Sequence, residues 1–181
     1  LMRRFPDVLE ALVETSPSAY LDASLDALGE QVRTAETRDR AMQYLRHTRN
    51  RLALVTALLD LADQWDVDTV TAYLTRLADI AVSASLDFLL AQAVQAEIVK
   101  PFERSGLVVL ALGKHGGQEL NYSSDIDIVL YYTSNALTLD AAHDEGKFYV
   151  TLARDLTAML QTQTADGFVF RVDMRLRPDP G

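Results

Sequence analysis

Six apolar residues in a row, Leu107-Val108-Val109-Leu110-Ala111-Leu112, run into Gly113, and twelve residues further on Asp125-Ile126-Asp127 opens a second β-rich run over residues 125–132. A short unbroken apolar run that stops at a glycine reads as a strand buried on both faces. In the second run, residues two apart project to one side and lie about 6.6–6.8 Å apart along the strand. Asp125 and Asp127 therefore point together, while Ile126, Ile128 and Leu130 face a core. Any fold of this chain has to bring a strand, a glycine-rich turn and two like charges to one place.

Residues 1–100 have a different texture. They hold one glycine, Gly29, and two early prolines, Pro6 and Pro17, among many alanines and leucines. That composition is helical. Tyr20, Leu21, Leu25, Leu28 and Val32 follow helical spacing, and Met42, Leu45, Leu52, Val55, Leu58 and Leu59 mark a second amphipathic helix over residues 38–61. Asp66-Val67-Asp68-Thr69 is a polar break rich in N-cap residues, and from Val70 one long helix is expected to continue to Val99 and end at Lys100-Pro101. Arg38, Arg40, Arg46, Arg49 and Arg51 crowd the second helix. They read as a solvated face, with a docking face for an acidic partner as the sharper alternative.

After residue 132, Phe148, Leu152, Leu156 and Leu160 step at i, i+4 along a helix expected within residues 137–161. Asp166-Gly167 is a turn signal, and Phe168 to Arg177 reads as a final strand. The expected class is α+β. A helical region, residues 1–100, precedes an α/β domain with a small mixed sheet, residues 101–181. The sequence starts at Leu1 and stops at Pro178-Asp179-Pro180-Gly181, so that domain is expected to be truncated at its C-terminus.

The final strand separates its residues by parity. Phe168, Phe170, Val172, Met174 and Leu176 form one face, and Arg171, Asp173, Arg175 and Arg177 the other. Should it lie beside the strand with Asp125 and Asp127, Asp173 completes a cluster of three carboxylates. Such a cluster is costly without a cation, and hard oxygen donors select magnesium or manganese, here as two ions. The arginines suit phosphate oxygens. Gly113, Gly116 and Gly117 allow a turn that offers amides to an anion, Ser123 and Ser124 add hydroxyls, and Lys114 adds a mobile charge. These are the parts that phosphoryl or nucleotidyl transfer needs. His115 has two readings, a phosphate contact or loop packing, and Glu119 reads as an ion pair or cap to Lys114.

The wording of residues 113–127, Gly-Lys-His-Gly-Gly-Gln-Glu-Leu-Asn-Tyr-Ser-Ser-Asp-Ile-Asp, and of residues 166–178, Asp-Gly-Phe-Val-Phe-Arg-Val-Asp-Met-Arg-Leu-Arg-Pro, resembles the glutamine synthetase adenylyltransferase family. The resemblance is specific over about residues 105–178. It implies a nucleotidyltransferase fold of the polymerase β type, with Asp125, Asp127 and Asp173 as metal-binding carboxylates. Enzymes of that family carry two such domains, and the second block of residues resembles the N-terminal, adenylyl-removing one. The resemblance therefore implies phosphorolytic removal of AMP from a tyrosine of glutamine synthetase, giving ADP. Alternatives are the adenylyl-attaching reaction with ATP and a regulatory module that binds nucleotide without turnover. The partners implied are glutamine synthetase, a PII signalling protein as regulator, and AMP, ADP, ATP and phosphate.

Charge and composition narrow the classes further. Of the net −9, residues 1–100 hold 10 basic against 15 acidic side chains and residues 101–181 hold 7 against 11, so neither part is basic. That disfavours nucleic acid as a partner. Cysteine is absent, no uncharged apolar run reaches eighteen residues, and no signal-peptide pattern precedes the first helix. A cytoplasmic protein without a membrane partner is expected.

Overall fold

The computed structural model describes residues 5–178. Helices α1 (Pro6–Glu14), α2 (Pro17–Arg33), α3 (Arg38–Leu61) and α4 (Val67–Gln95) come first. Strand β1 (Leu107–Leu112), the one-turn helix α5 (Gly113–Gly116), β2 (Ile126–Tyr132), α6 (Glu145–Gln161) and β3 (Val172–Pro178) follow. Short polar side chains start the helices. Ser16, Thr37, Asp66 and Asp144 accept hydrogen bonds from the amides of Ala19, Arg40, Thr69 and Lys147. Each satisfies one of the amides that a helix start leaves without a partner.

The long helix begins three residues before Val70, on its Asp66 cap, and stops at Gln95 rather than at Lys100. Glu97 turns left-handed at φ 58. Past it the chain is taken up by residues 138–140, with the Lys100 amide donating to the Thr138 carbonyl and the Asp140 amide to the Ile98 carbonyl. Local periodicity continues to Val99, but this non-local pairing captures the backbone first. By length and composition α4 could cross a bilayer, yet most of that stretch is buried within the fold.

The three strands form one mixed sheet in the order β1-β2-β3, with β1 antiparallel and β3 parallel to β2. Parallel strands need a crossover, which α6 supplies. The helices cover one face only. Strand β1 is accordingly not buried on both faces: Leu107, Val109 and Ala111 turn inward, while Val108, Leu110 and Leu112 stay 53%, 46% and 44% exposed. An apolar run on an edge strand looks the same in sequence as a central one.

The last strand is also shorter than its alternation. Both the Val169 and Phe170 amides donate to the Leu160 carbonyl, so these two consecutive side chains are buried and the ladder begins only at Val172.

One apolar core runs from Phe5 to Phe170 through helices and sheet alike. Arg46 is its polar fastener, and this overturns the solvated-face reading at that position, whereas Arg40 is exposed as expected. The Arg46 side chain is 1% exposed. Its Nε donates to the Gly167 carbonyl, Nη1 to those of Met42 and Met159, and Nη2 to that of Thr162. Burial pulls its pKa down, and the nearby Asp166 charge opposes that. Arg38 pairs with Asp155 and Arg51 with Asp7, so these two are held within the chain as well.

Candidate functional site

Register builds the site. β2 and β3 run parallel with Asp127 opposite Asp173, Val129 opposite Arg175 and Tyr131 opposite Arg177, and on its other flank Asp127 faces Leu112 of β1. Paired residues share a face, so Asp127 and Asp173 stand side by side on the open face of the sheet, with Arg175 one step along. Ile126, Ile128 and Leu130 fill the covered face and are fully buried, as their alternation demands. Asp127 is half-buried, whereas Asp173 and Arg175 are exposed. The side chain of Arg177 lies outside the described residues.

Asp125 precedes β2 and is held from β3's approach. Arg171 Nε donates to Asp125 Oδ1 at 2.5 Å and Nη2 to the Ser123 carbonyl at 3.1 Å, while the Arg171 carbonyl accepts from the Ile126 amide. Among the described residues no three histidine or acidic side chains converge closely enough to hold a metal ion. The donor chemistry fits a hard divalent cation at the neighbouring carboxylates Asp127 and Asp173. Asp125 is meanwhile neutralised by Arg171.

The glycine segment is a single helical turn packed against that pair. Gly113 has φ +55, and a Cβ there would lie 2.8 Å from Asp127 Oδ2. One on Gly116 would meet the Ala111 carbonyl oxygen at 2.5 Å. The amides of Gly117, Gln118 and Glu119 are spent on the carbonyls of Gly113, His115 and Lys114, so the Gly117 amide is not offered outward. Lys114 is exposed on this turn. Glu119 meets Lys114 through backbone atoms. Because Gly116 abuts rigid backbone, Gly116→Ala is expected to lower the unfolding free energy by about 1–3 kcal/mol. Thermal denaturation checks it, and an unchanged midpoint would contradict the contact.

Ser123 and Ser124 belong to a loop organised by Asn121, a residue that sequence reasoning passed over. The Asn121 amide donates to Ser124 Oγ, which donates in turn to Asn121 Oδ1, and the Ser123 amide donates to that same oxygen. Asn-x-Ser-Ser is an Asx-turn pattern and was a usable signal. Tyr122 and His115 reach partners far away in the chain. The Tyr122 hydroxyl donates to Asp60 Oδ2 at 3.3 Å, and burial together with the Asp60 charge pushes its pKa up. His115 packs inward rather than toward the open face, with Nε2 2.8 Å from Asp79 Oδ1.

The family model described as glutamate-ammonia ligase adenylyltransferase matches residues 1–181. The chain belongs to this family. As a glutamate-ammonia ligase adenylyltransferase sequence it is similar to proteins named "Bifunctional glutamine synthetase adenylyltransferase/adenylyl-removing enzyme". That of Xanthobacter autotrophicus is 41% identical over 100% of this chain and 19% of the relative. Those of Rhodopseudomonas palustris strain HaA2 and Agrobacterium fabrum are 43% identical over 99% and 77% of the chain, or 19% and 15% of the relative. The chain thus spans about a fifth of the length of the relatives that it matches from end to end. The family's enzymes are of the nucleotidyltransferase class, and the mixed three-stranded sheet with helices on one face is consistent with that class of domain.

Proposed function

We propose that this segment carries a nucleotidyltransferase site of the polymerase β type, which removes AMP from a tyrosine of glutamine synthetase by phosphorolysis. The observation that supports it most is the register of β2 and β3, with two carboxylates side by side and an arginine one step along on an uncovered sheet face. The choice of removal over attachment draws on the resemblance of residues 166–178 to the adenylyl-removing domain.

An oxygen of inorganic phosphate forms a bond to the AMP phosphorus as the bond from that phosphorus to the tyrosine oxygen breaks. The proton carried by the incoming phosphate ends on the tyrosine, and ADP leaves. Asp127 and Asp173, joined by Asp125, would hold magnesium or manganese ions, whose charge offsets that of the phosphates. Arg175 orients phosphate oxygens and Arg171 holds Asp125. Lys114, Ser123 and the glycine turn border the same space. Glutamine synthetase is the protein substrate, a PII protein is the regulator, and the setting is the cytoplasm.

The intact protein, given adenylylated glutamine synthetase, phosphate and magnesium, is expected to release ADP. The arms that decide are unmodified glutamine synthetase with ATP, and a protein with this site inactivated. Pyrophosphate release that depends on this site assigns it to attachment, and ADP release that survives its inactivation removes the proposal.

A further inference from the structure

Three contacts join the helical layer to Asp127. Asp79 on α4 faces His115 Nε2 at 2.8 Å. His115 sits inside the one-turn helix α5. That turn is wedged at Gly116 against the Ala111 carbonyl and at Gly113 against the Asp127 carboxylate, with no room for a side chain at either glycine.

Packing alone does not fix the histidine. Its ring is 3% exposed, but it lines a cavity of about 330 Å³ between α4 and the inner face of β1, beside Val109 and Ala111. An ionised carboxylate only accepts, so Nε2 carries the proton toward Asp79. Nδ1 is buried and has no hydrogen-bond partner among the described residues. An unsatisfied buried polar atom is a cost that an apolar side chain of similar size avoids. The ring is directional here. Among the described residues the Asp79 carboxylate is the one hydrogen-bond partner that orients it beside the cavity.

We infer that the Asp79–His115 pair is a positioning device, which holds the 113–117 turn against Asp127 and so fixes the spacing of the Asp127–Asp173 pair. The inference rests on the proposed use of those carboxylates, and its test reads them in two independent ways. Neither residue faces the open side of the sheet, so both act through the turn.

The test uses the intact protein carrying Asp79→Ala, Asp79→Asn, His115→Phe and the double variant Asp79→Ala/His115→Phe. Asp79 is 60% exposed, so its replacement leaves the core in place even where His115→Phe folds poorly. Asp79→Ala and His115→Phe are each expected to lower kcat for ADP release by about tenfold or more, with KM unchanged, because small displacements of a reacting geometry are costly. Manganese affinity, read by electron paramagnetic resonance, falls in the same variants. Asp79→Asn keeps an oxygen acceptor and restores both, and the double variant is no worse than either single one, as for groups that act as a unit. Additive losses in the double variant overturn the device. So does an Asp79→Ala protein with unaltered kcat and manganese affinity. Should the unaltered protein release no ADP, the phosphorolytic reading fails, and manganese affinity still decides the positioning role.

Discussion

Asp127→Asn and Asp173→Asn are each expected to lower ADP release by on the order of 10³-fold, about 4 kcal/mol of transition-state stabilisation, with the fold at least as stable as before. The two halves of this result have one cause. Parallel register sets Asp127 directly beside Asp173, and no basic side chain described in the structure lies between them. Like charges directly opposite across a strand pair destabilise it by a few tenths to about 1 kcal/mol. Either substitution relieves that repulsion while keeping shape, so the metal-free protein melts no lower. For the unaltered protein the opposite is expected, added magnesium or manganese raising its melting temperature by binding the folded state. The asparagine variants lose that metal-dependent rise. A variant with near-normal turnover, or one that still gains stability from manganese, would remove Asp127 and Asp173 from the role.

Asp125→Asn has a different signature. Its carboxylate holds Arg171, and through the Arg171 guanidinium the Ser123 carbonyl and the entry to β3. This ion pair is exposed on both sides, so its contribution to stability is small. The effect of that substitution therefore falls on activity.

What could be read from the sequence follows from how local the determining physics is. The parity of Ile126, Asp127 and Ile128 and of Val172, Asp173 and Met174 is a property of each strand alone, and the sheet places these residues on the expected faces. The caps at Asp66 and Asp144 act within three residues of themselves. Where structure departed from expectation, a distant partner had intervened. The end of α4 is decided by residues 138–140, the start of β3 by the Leu160 carbonyl, and the exposure of Val108, Leu110 and Leu112 by the edge position of β1. The links from Asp79 to His115 and from Asp60 to Tyr122 span 36 and 62 residues. Nothing local announces either pair.

Arg46 is the extreme case, because a charged residue within a basic stretch of helix carries every mark of the surface. Arg46→Met is expected to destabilise the fold by about 3–5 kcal/mol. For a chain of this size that lowers the melting temperature by roughly 6–20 °C. The guanidinium joins four backbone carbonyls, on α3, on α6 and on the turn that follows α6, of which that of Gly167 also accepts from the Thr164 amide and hydroxyl. Methionine fills similar space, so the loss reports unsatisfied carbonyls rather than a hole. Arg46→Lys keeps the charge but lacks the planar fork that reaches several carbonyls at once, and it recovers less than half of the loss. The contact at Gly167 also connects stability to chemistry. That residue turns the chain, at φ 90, toward Val169 and then β3, whose register sets Asp173 against Asp127. Well below its melting temperature, Arg46→Met protein should accordingly show reduced manganese affinity in proportion to the loss of β3 amide protection in hydrogen exchange. A melting temperature within 2 °C of the unaltered protein would show that the four carbonyls find other partners, and Arg46 would return to the ordinary solvated face that its sequence suggests.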